Sequence, residues 1–318
     1  MEKSSRIENF PISFFAMVMG LAGLTIAWEK AQSGLHLPVR MDAALVPFTG
    51  LVFVVLLSLY GLKLLRFRAA VIKELHHPIK LNFFPTLSIS LILISVTTLK
   101  MAPGLSHILW IAGTGLHLAF TLYVMTVWIH HDRFEIHHMN PAWFIPVVGN
   151  VLVPITGVHF GHLEISWLSF SIGMLFWLVL LGIIFNRVIF HHPLDAKMMP
   201  TFFILIAPPA VGFISYYSLS GELDAFARVL YYSALFLTLL LLTQTSRFSR
   251  LQFYLSWWAY SFPLAAITVA TLLMYDITGS SGFAVIGSVL LSLLTLLVIY
   301  LLYRTLKAIG ERKICQPE

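Results

Sequence analysis

The amino-acid sequence predicts an all-α integral membrane protein of ten transmembrane segments, arranged as five parallel helix-hairpin repeats. Three observations lead to this prediction: a composition too apolar for a water-soluble fold, ten apolar runs of spanning length, and prolines in alternate runs. The 318-residue chain is 58% hydrophobic and 11% charged, whereas soluble domains carry about 25% charged residues. The long apolar runs also exclude an outer-membrane β-barrel, whose strands alternate polar and apolar residues.

The ten predicted segments are the apolar runs long enough to cross the hydrocarbon core, which takes about 20 helical residues. They cover residues 10–28, 43–65, 82–99, 105–130, 141–159, 164–188, 200–218, 224–245, 254–275 and 282–306. The first run is interpreted as a retained segment rather than a signal peptide, because it has spanning length and no small-x-small cleavage site follows it. No polar stretch is long enough for a second domain, so residues 1–318 are expected to form one transmembrane domain.

The basic residues predict the orientation of these segments. If the N-terminus is cytoplasmic, the cytoplasmic parts of the chain hold 16 of the 20 lysines and arginines. The outer parts hold only Lys30, Arg40, Lys100 and Arg228. Cytoplasmic loops of membrane proteins are enriched in Lys and Arg, so both termini are predicted to lie in the cytoplasm, with the protein in a bacterial inner membrane. The net charge of +6 then reflects loop composition, and no nucleic-acid partner is predicted.

Interior prolines distinguish the odd-numbered segments from the leucine-rich even-numbered ones. They recur at intervals of 61, 62 and 55 residues, at Pro85, Pro146, Pro208 and Pro263, and Val18 has the same register in segment 1. Proline removes a backbone donor and kinks a helix, and in lipid the freed carbonyl must be satisfied by protein or water. The odd segments are therefore predicted to enclose a central pore, with the even segments outside. The alternative is that proline is simply common in membrane helices.

The predicted pore is apolar and uncharged. Ion-coupled transporters usually need acids or histidines within the membrane, and the odd segments have almost none in their interiors. Phe262 precedes the proline of segment 9, where a kink would direct its ring inward, so it is predicted to be the gate; the alternative is ordinary packing. The other pore-lining or kink candidates from these segments are Gly20, Phe84, Pro85, Ser88, Ile145, Pro146, Asn150, Ala207, Pro208 and Pro263.

Histidines raise the possibility of a metal centre. Four pairs, His76-His77, His130-His131, His137-His138 and His191-His192, all fall on the predicted cytoplasmic side. Their spacing does not match the one-turn spacing of di-iron histidine boxes, and His107 and His117 have no expected partners at matching depth for haem. No metal or cofactor is therefore predicted. A metal-dependent membrane oxidoreductase that uses these pairs remains as an alternative.

Three short stretches carry a resemblance to a known family. They are WWAYSFP at residues 257–263, MGLAGL at residues 19–24, and Ala207-Pro208 followed by Ser215-Tyr216. Together with the ten segments, they resemble the family of the tellurite-resistance protein TehA and the plant guard-cell slow anion channel. The resemblance implies a homotrimer with one pore per protomer, formed by the odd segments and occluded at Phe262. It also implies that Phe15 and Ala16 lie beside that gate, although Val18 stands where the family often has proline.

The function predicted from these observations is passive conduction of small monovalent inorganic anions, such as chloride or nitrate, and not an enzymatic activity. The positive dipole ends of the odd segments and the basic loops would both concentrate anions at the cytoplasmic mouth. The alternative is a secondary transporter or exporter of dicarboxylate, sulfite or tellurite-like oxyanions.

Overall fold

The computed structural model describes residues 6–131 and 134–316, and all regular structure in these ranges is helical. In these two ranges, nine helices are long and apolar enough to cross a membrane, and a shorter apolar stretch, Pro141–Gly157, stands in the place of the tenth. The ten segments are Ile12–Gly34, Asp42–Arg66, Lys80–Thr98, Pro103–His130, Pro141–Gly157, Leu163–Phe190, Met199–Ser220, Ala225–Leu242, Leu255–Thr278 and Ser281–Gly310. The prediction of an all-helical multi-pass membrane protein is confirmed.

Segment 5 differs from the continuous helix predicted over residues 141–159. It consists of four short pieces that alternate between 3₁₀- and α-helix, namely Pro141–Phe144, Ile145–Val148, Gly149–Leu152 and Val153–Gly157. Its interior prolines, Pro146 and Pro154, remove amide donors that a continuous α-helix would use. The prediction also missed a short helix after segment 2, Arg68–Leu75, because its eight residues are too few and too polar to form a span.

The five odd segments share a local irregularity at their N-terminal ends. Each begins as a 3₁₀-helix and continues as an α-helix, which starts at Phe15, Thr86, Ile145, Ala207 or Ser261. In segments 3, 5, 7 and 9 a proline lies within two residues of this junction, whereas segment 1 makes the same change without one. The even segments are single α-helices. The tighter start is therefore a property of position in the fold, which proline accompanies but does not alone determine.

Burial separates the odd segments from the even ones. In the most apolar window of segments 1, 3, 7 and 9, 56–78% of the residues are buried, against 22–39% in the even segments. Segment 5 is buried at every residue except Ile155. Because lipid can cover an apolar surface as well as protein does, the exposed leucine-rich faces of the even segments suit contact with acyl chains.

A buried ion pair fixes the start of segment 1. The Lys63 ammonium lies 2.6 Å from the Glu74 carboxylate and donates to the Phe10 carbonyl at 2.8 Å. The ammonium contacts Oε2 of Glu74, which also accepts a hydrogen bond from the Tyr60 hydroxyl at 3.1 Å. Oε1 of Glu74 accepts a hydrogen bond from the Ile12 backbone amide at 2.8 Å. Both charged side chains are about 95% buried. The short helix Arg68–Leu75 thus holds the 3₁₀ start of segment 1 against segment 2.

Candidate pore

The odd segments contact one another in a closed sequence. Segment 1 packs on segment 3, segment 3 on segment 5, segment 5 on segment 7, segment 7 on segment 9, and segment 9 on segment 1. Each even segment packs on the odd segment before it and on the next odd segment in this sequence. In the part of the chain that the structure describes, none of the principal contacts joins odd segments across the ring. The middle of the ring is therefore available for a cavity.

Two cavities lie inside this ring. The first has a volume of about 70 Å³ and is lined by residues from the N-terminal parts of all five odd segments. Its lining is Ala16, Met19, Phe83, Thr86, Ile89, Phe144, Ile145, Val148, Gly149, Leu152, Ile204, Ala207, Pro208, Val211, Trp258, Ala259, Phe262 and Pro263. The Thr86 hydroxyl donates a hydrogen bond to the Phe83 carbonyl, and the Trp258 indole N–H donates one to the Thr305 hydroxyl. The first cavity therefore offers an almost entirely apolar surface.

The second cavity is larger, at about 480 Å³, and is lined by later residues of the same five segments. Its lining is Gly23, Ile26, Lys30, Leu93, Val96, Leu152, Ile155, Val211, Ile214, Tyr217, Ser218, Phe262, Ala265, Ala266, Val269 and Leu273. Residue numbers rise from the first cavity to the second in every odd segment. Tyr217, Ser218 and Lys30 make this cavity more polar than the first.

Three side chains line both cavities: Leu152, Val211 and Phe262. They come from segments 5, 7 and 9, and all three are apolar. Any straight passage between the two cavities must go past them, so they form the boundary between a small dry chamber and a larger one.

The ring of Phe262 lies against a glycine-rich face of segment 1. A Cβ atom built on Gly23 would be 3.5 Å from Cδ2 of Phe262 and only 2.7 Å from the Cβ of Ala265. A Cβ on Gly20 would be 2.1 Å from the hydroxyl oxygen of Ser261. These two glycines let segments 1 and 9 approach closely, which holds Phe262 at the boundary between the cavities.

Six of the residues singled out from the sequence line the first cavity. They are Ala16, Ile145, Ala207, Pro208, Phe262 and Pro263. Ala16, from segment 1, lies opposite segments 5 and 7 in the ring. The structure therefore brings together candidates that are as much as 247 positions apart in the chain.

Aromatic candidates from segments 1 and 3 lie outside both cavities. Phe15 is fully buried and makes edge contacts with Phe53 and Tyr60 of segment 2. Phe84 contacts Tyr60 and Phe120, whereas the preceding residue, Phe83, lines the first cavity. Gly20 serves the close packing of segment 1 on segment 9 and lines neither cavity.

The polar candidates are engaged in hydrogen bonds away from the cavities. Ser88 donates to the Pro85 carbonyl at 2.8 Å, and Asn150 donates to the Thr121 hydroxyl at 2.8 Å. Thr121 in turn donates to the Pro146 carbonyl at 2.7 Å. Ser88, Asn150, Pro85 and Pro146 line neither cavity. Their contacts therefore stabilise the irregular backbone of segments 3 and 5 on the side away from the cavities.

The two histidines considered as haem ligands have hydrogen-bond partners outside segment 4. His117 is fully buried, its Nδ1 lies 2.9 Å from the Ser88 hydroxyl, and its ring fills the space left by Gly149. His107 and His162 meet through their Nε2 atoms at 2.9 Å. The sequence did not indicate these contacts because each joins residues far apart in the chain. Within residues 6–131 and 134–316, no group of three or more His, Cys, Asp or Glu side chains is placed to hold a metal ion.

Lys30 is the charged residue that the sequence reasoning did not place in the pore. Among the described residues, it is the only Lys, Arg, Asp or Glu that lines either cavity. Its ammonium lies 2.6 Å from the carboxylate of Asp276, and both side chains are somewhat under one-third exposed. A Cβ on Gly34 would be 2.4 Å from that carboxylate, so glycine at this position makes room for the ion pair.

A periodic pattern in the sequence identifies the faces that line the cavities. Lining residues recur at alternating steps of three and four in all five odd segments, as one face of a helix should. The sets are 16, 19, 23, 26 and 30; 86, 89, 93 and 96; 145, 148, 152 and 155; 204, 207, 211, 214 and 218; and 259, 262, 266, 269 and 273. The pattern is hard to recognise beforehand because both faces of each buried segment are apolar.

Comparisons with known proteins agree over nearly the whole chain. A family model described as SLAC1, voltage-dependent anion channel, matches residues 9–306. The S-type anion channel SLAH3 of Arabidopsis thaliana is 28% identical over 305 residues, which cover 94% of this chain and 48% of that protein. The tellurite resistance protein TehA homolog of Haemophilus influenzae is 26% identical over 301 residues, 91% of this chain and 90% of the relative.

An uncharacterized transporter of Methanocaldococcus jannaschii is 28% identical over 333 residues, which cover 96% of both chains. This chain therefore spans about half the length of the plant relative and nearly the full length of the two microbial ones.

Proposed function

Since this chain belongs to the SLAC1 family of voltage-dependent anion channels, we propose that it passes small monovalent inorganic anions through the axis of its own ring, with Phe262 as the gate. The observation that carries this proposal is the meeting of two cavities, each lined by all five odd segments, at Leu152, Val211 and Phe262. An apolar constriction blocks ions by excluding water. Phe262 has the largest side chain of the three, so its ring is assigned the gating role.

We propose that the ring consists of five parallel hairpin repeats, with the N-terminal ends of the odd segments at the cytoplasm. The shared 3₁₀ starts and the common direction of residue numbering past the cavities support this arrangement. In that orientation the positive ends of the segments' backbone dipoles surround the first cavity. Sixteen of the 20 Lys and Arg would be on the same side, which favours entry of anions over cations.

The lining supports small monovalent anions as the substrates. An ion that crosses an apolar constriction loses much of its hydration, and the cost of that loss rises steeply with charge. The described lining has no carboxylate to bind protons or cations and carries one ammonium, that of Lys30. Chloride- or nitrate-like ions therefore suit the passage better than divalent oxyanions.

We also propose a homotrimer in a bacterial inner membrane, with a separate pore in each protomer. This assembly rests on the resemblance of the sequence to the TehA and slow anion channel family. Light scattering of the purified protein should give a polypeptide mass three times 35.8 kDa, and a monomeric or dimeric mass would contradict the proposal.

Current recordings of wild type and Phe262→Ala test the function. We expect the variant to pass a larger current whose reversal potential follows the chloride or nitrate gradient and does not move when sodium replaces potassium. A folded Phe262→Ala protein without anion current would contradict the proposed channel. Saturable flux that needs a proton gradient would instead support the alternative, a secondary transporter of oxyanions or dicarboxylates.

A further inference from the structure

We propose that Lys30 is the residue that attracts anions into the second cavity, and that Asp276 weakens this attraction by pairing with it. The inference rests on the proposed function, because it assigns a recognition charge to the same pore. Its starting point is that Lys30 alone among the described lining residues bears a charge, 2.6 Å from a carboxylate that does not itself line the cavity.

Lys30 is placed so that its charge reaches the cavity. It continues the face of segment 1 that carries Ala16, Met19, Gly23 and Ile26, at steps of three and four residues. Its side chain is 28% exposed, so the ammonium retains contact with water. A fixed charge in a cleft with low-dielectric walls focuses its field into the cleft and concentrates counter-ions there.

Asp276 approaches the same ammonium from segment 9. Its carboxylate sits over Gly34, where any larger residue would collide with it. An anion in the second cavity must therefore share Lys30 with Asp276 or displace it. Removal of the carboxylate should strengthen anion attraction, and removal of the ammonium should abolish it.

A neighbouring pair of similar geometry provides the control. Glu29 lies 2.8 Å from Lys100, but neither residue lines the second cavity. Both instead line a separate pocket on the same side of the protein. Glu29→Gln therefore changes the net charge by the same amount as Asp276→Asn, without freeing a charge inside the pore.

Charge-selective modification of a cysteine in the second cavity tests the inference without requiring current. Ser218 lines that cavity, so Ser218→Cys in a Cys315→Ser background provides the target. The readout is the ratio of two modification rates of this cysteine. One is measured with the anionic reagent sulfonatoethyl methanethiosulfonate, and the other with the cationic reagent trimethylammonioethyl methanethiosulfonate. Because one partly exposed charge should act more weakly than a cleft lined by many charges, for which focusing reaches about tenfold or more, we expect effects of about threefold.

The predicted changes have opposite signs. Lys30→Gln should lower the anionic-to-cationic rate ratio about threefold, Asp276→Asn should raise it similarly, and Lys30→Arg and Glu29→Gln should leave it near the starting value. The double variant Lys30→Gln/Asp276→Asn, which retains neither charge, should lie between the two single variants. The differences should shrink in 1 M salt, where the Debye length is about 3 Å.

If Lys30→Gln and Asp276→Asn shift the ratio in the same direction, or if neither shifts it in proteins shown to be folded, the ion pair is only structural and the inference is overturned. The outcome does not depend on conduction. Failure of the proposed function would appear separately, as absence of anion current through Phe262→Ala.

Discussion

The buried pair of Lys63 and Glu74 provides a quantitative test of the described packing. Glu74→Gln keeps the shape of the side chain but removes its charge, and leaves the Lys63 ammonium with neutral acceptors only, the Phe10 carbonyl and the new amide oxygen. Lys63→Met removes the cation instead, and the carboxylate then retains the Ile12 amide and the Tyr60 hydroxyl. Each single variant thus leaves one buried charge without its counter-charge.

Removal of one partner from a buried ion pair costs about 3–5 kcal/mol. We expect Glu74→Gln to fall near the upper end, because the amide NH2 group cannot accept the hydrogen bonds that one carboxylate oxygen accepted, and Lys63→Met near the lower end, because the stranded carboxylate keeps two donors. The double variant Lys63→Met/Glu74→Gln buries no charge, so it avoids the penalty of a buried charge without its counter-charge. It should therefore be more stable than either single variant.

Thermal unfolding in detergent measures these effects. At about 2 °C per kcal/mol for a large domain, the single variants should lower Tm by about 6–10 °C, and the double variant by much less. Glu311 follows segment 10 and makes exposed ion pairs with Lys313 at 2.7 Å and Lys307 at 3.9 Å, so Glu311→Gln should leave Tm nearly unchanged. Single variants that match the Glu311→Gln control, or a double variant no better than the worse single one, would refute the reasoning.

Three further predictions concern the pore and its supports. Phe262→Leu should give anion currents between those of wild type and Phe262→Ala. Phe83→Ala should leave the pore closed, because Phe83 lines only the first cavity. Equal currents from Phe83→Ala and Phe262→Ala would contradict this prediction. Gly23→Ala should destabilise the fold by about 1–3 kcal/mol through overpacking, because its Cβ would lie 2.7 Å from Ala265. Gly61→Ala, with open space around it, should be neutral or stabilising in melting experiments. Hydrogen bonds from the Ala227 amide and the Tyr216 hydroxyl hold the pKa of Asp224 below its ordinary value of 3.8. The contribution of Asp224 to stability is therefore present above pH 3.8 and is lost as the pH falls through the lowered pKa. Asp224→Asn should flatten the fall in Tm below about pH 4.

The sequence was sufficient for the segments because their signal is strong and local. Among the described residues, nine of the ten predicted spans are helices of spanning length near the predicted positions, and the fifth is the shorter stretch Pro141–Gly157. Interior prolines mark four of the five most buried segments. The break-up of segment 5 follows from Pro146 and Pro154, but the length of each 3₁₀ piece depends on packing against segments 4 and 6. In segment 1, Pro11 precedes the 3₁₀ start, but no proline lies at the change from 3₁₀- to α-helix, so the sequence does not mark that junction.

It was harder to predict which side chains of the odd segments face the cavities. A segment buried on all sides has no polar face to mark its outer surface, so Phe83 and Phe84 are equivalent in the sequence, although only Phe83 lines a cavity. Polar residues were misleading, because Ser88 and Asn150 satisfy hydrogen bonds behind the pore. Lys30 was assigned to a loop, whereas segment 1 continues as a helix to Gly34 and carries its charge into the second cavity.

The central proposal is that Phe262 alone closes an otherwise continuous passage between the two cavities. The most direct test is the reaction of Ala259→Cys, whose residue lines only the first cavity. The assay uses a Cys315→Ser background and a charged thiol reagent supplied solely from the side of the second cavity. The account predicts no modification while Phe262 is present, and rapid modification in Phe262→Ala. Modification at the same rate with and without the ring, or none in either folded protein, would contradict it.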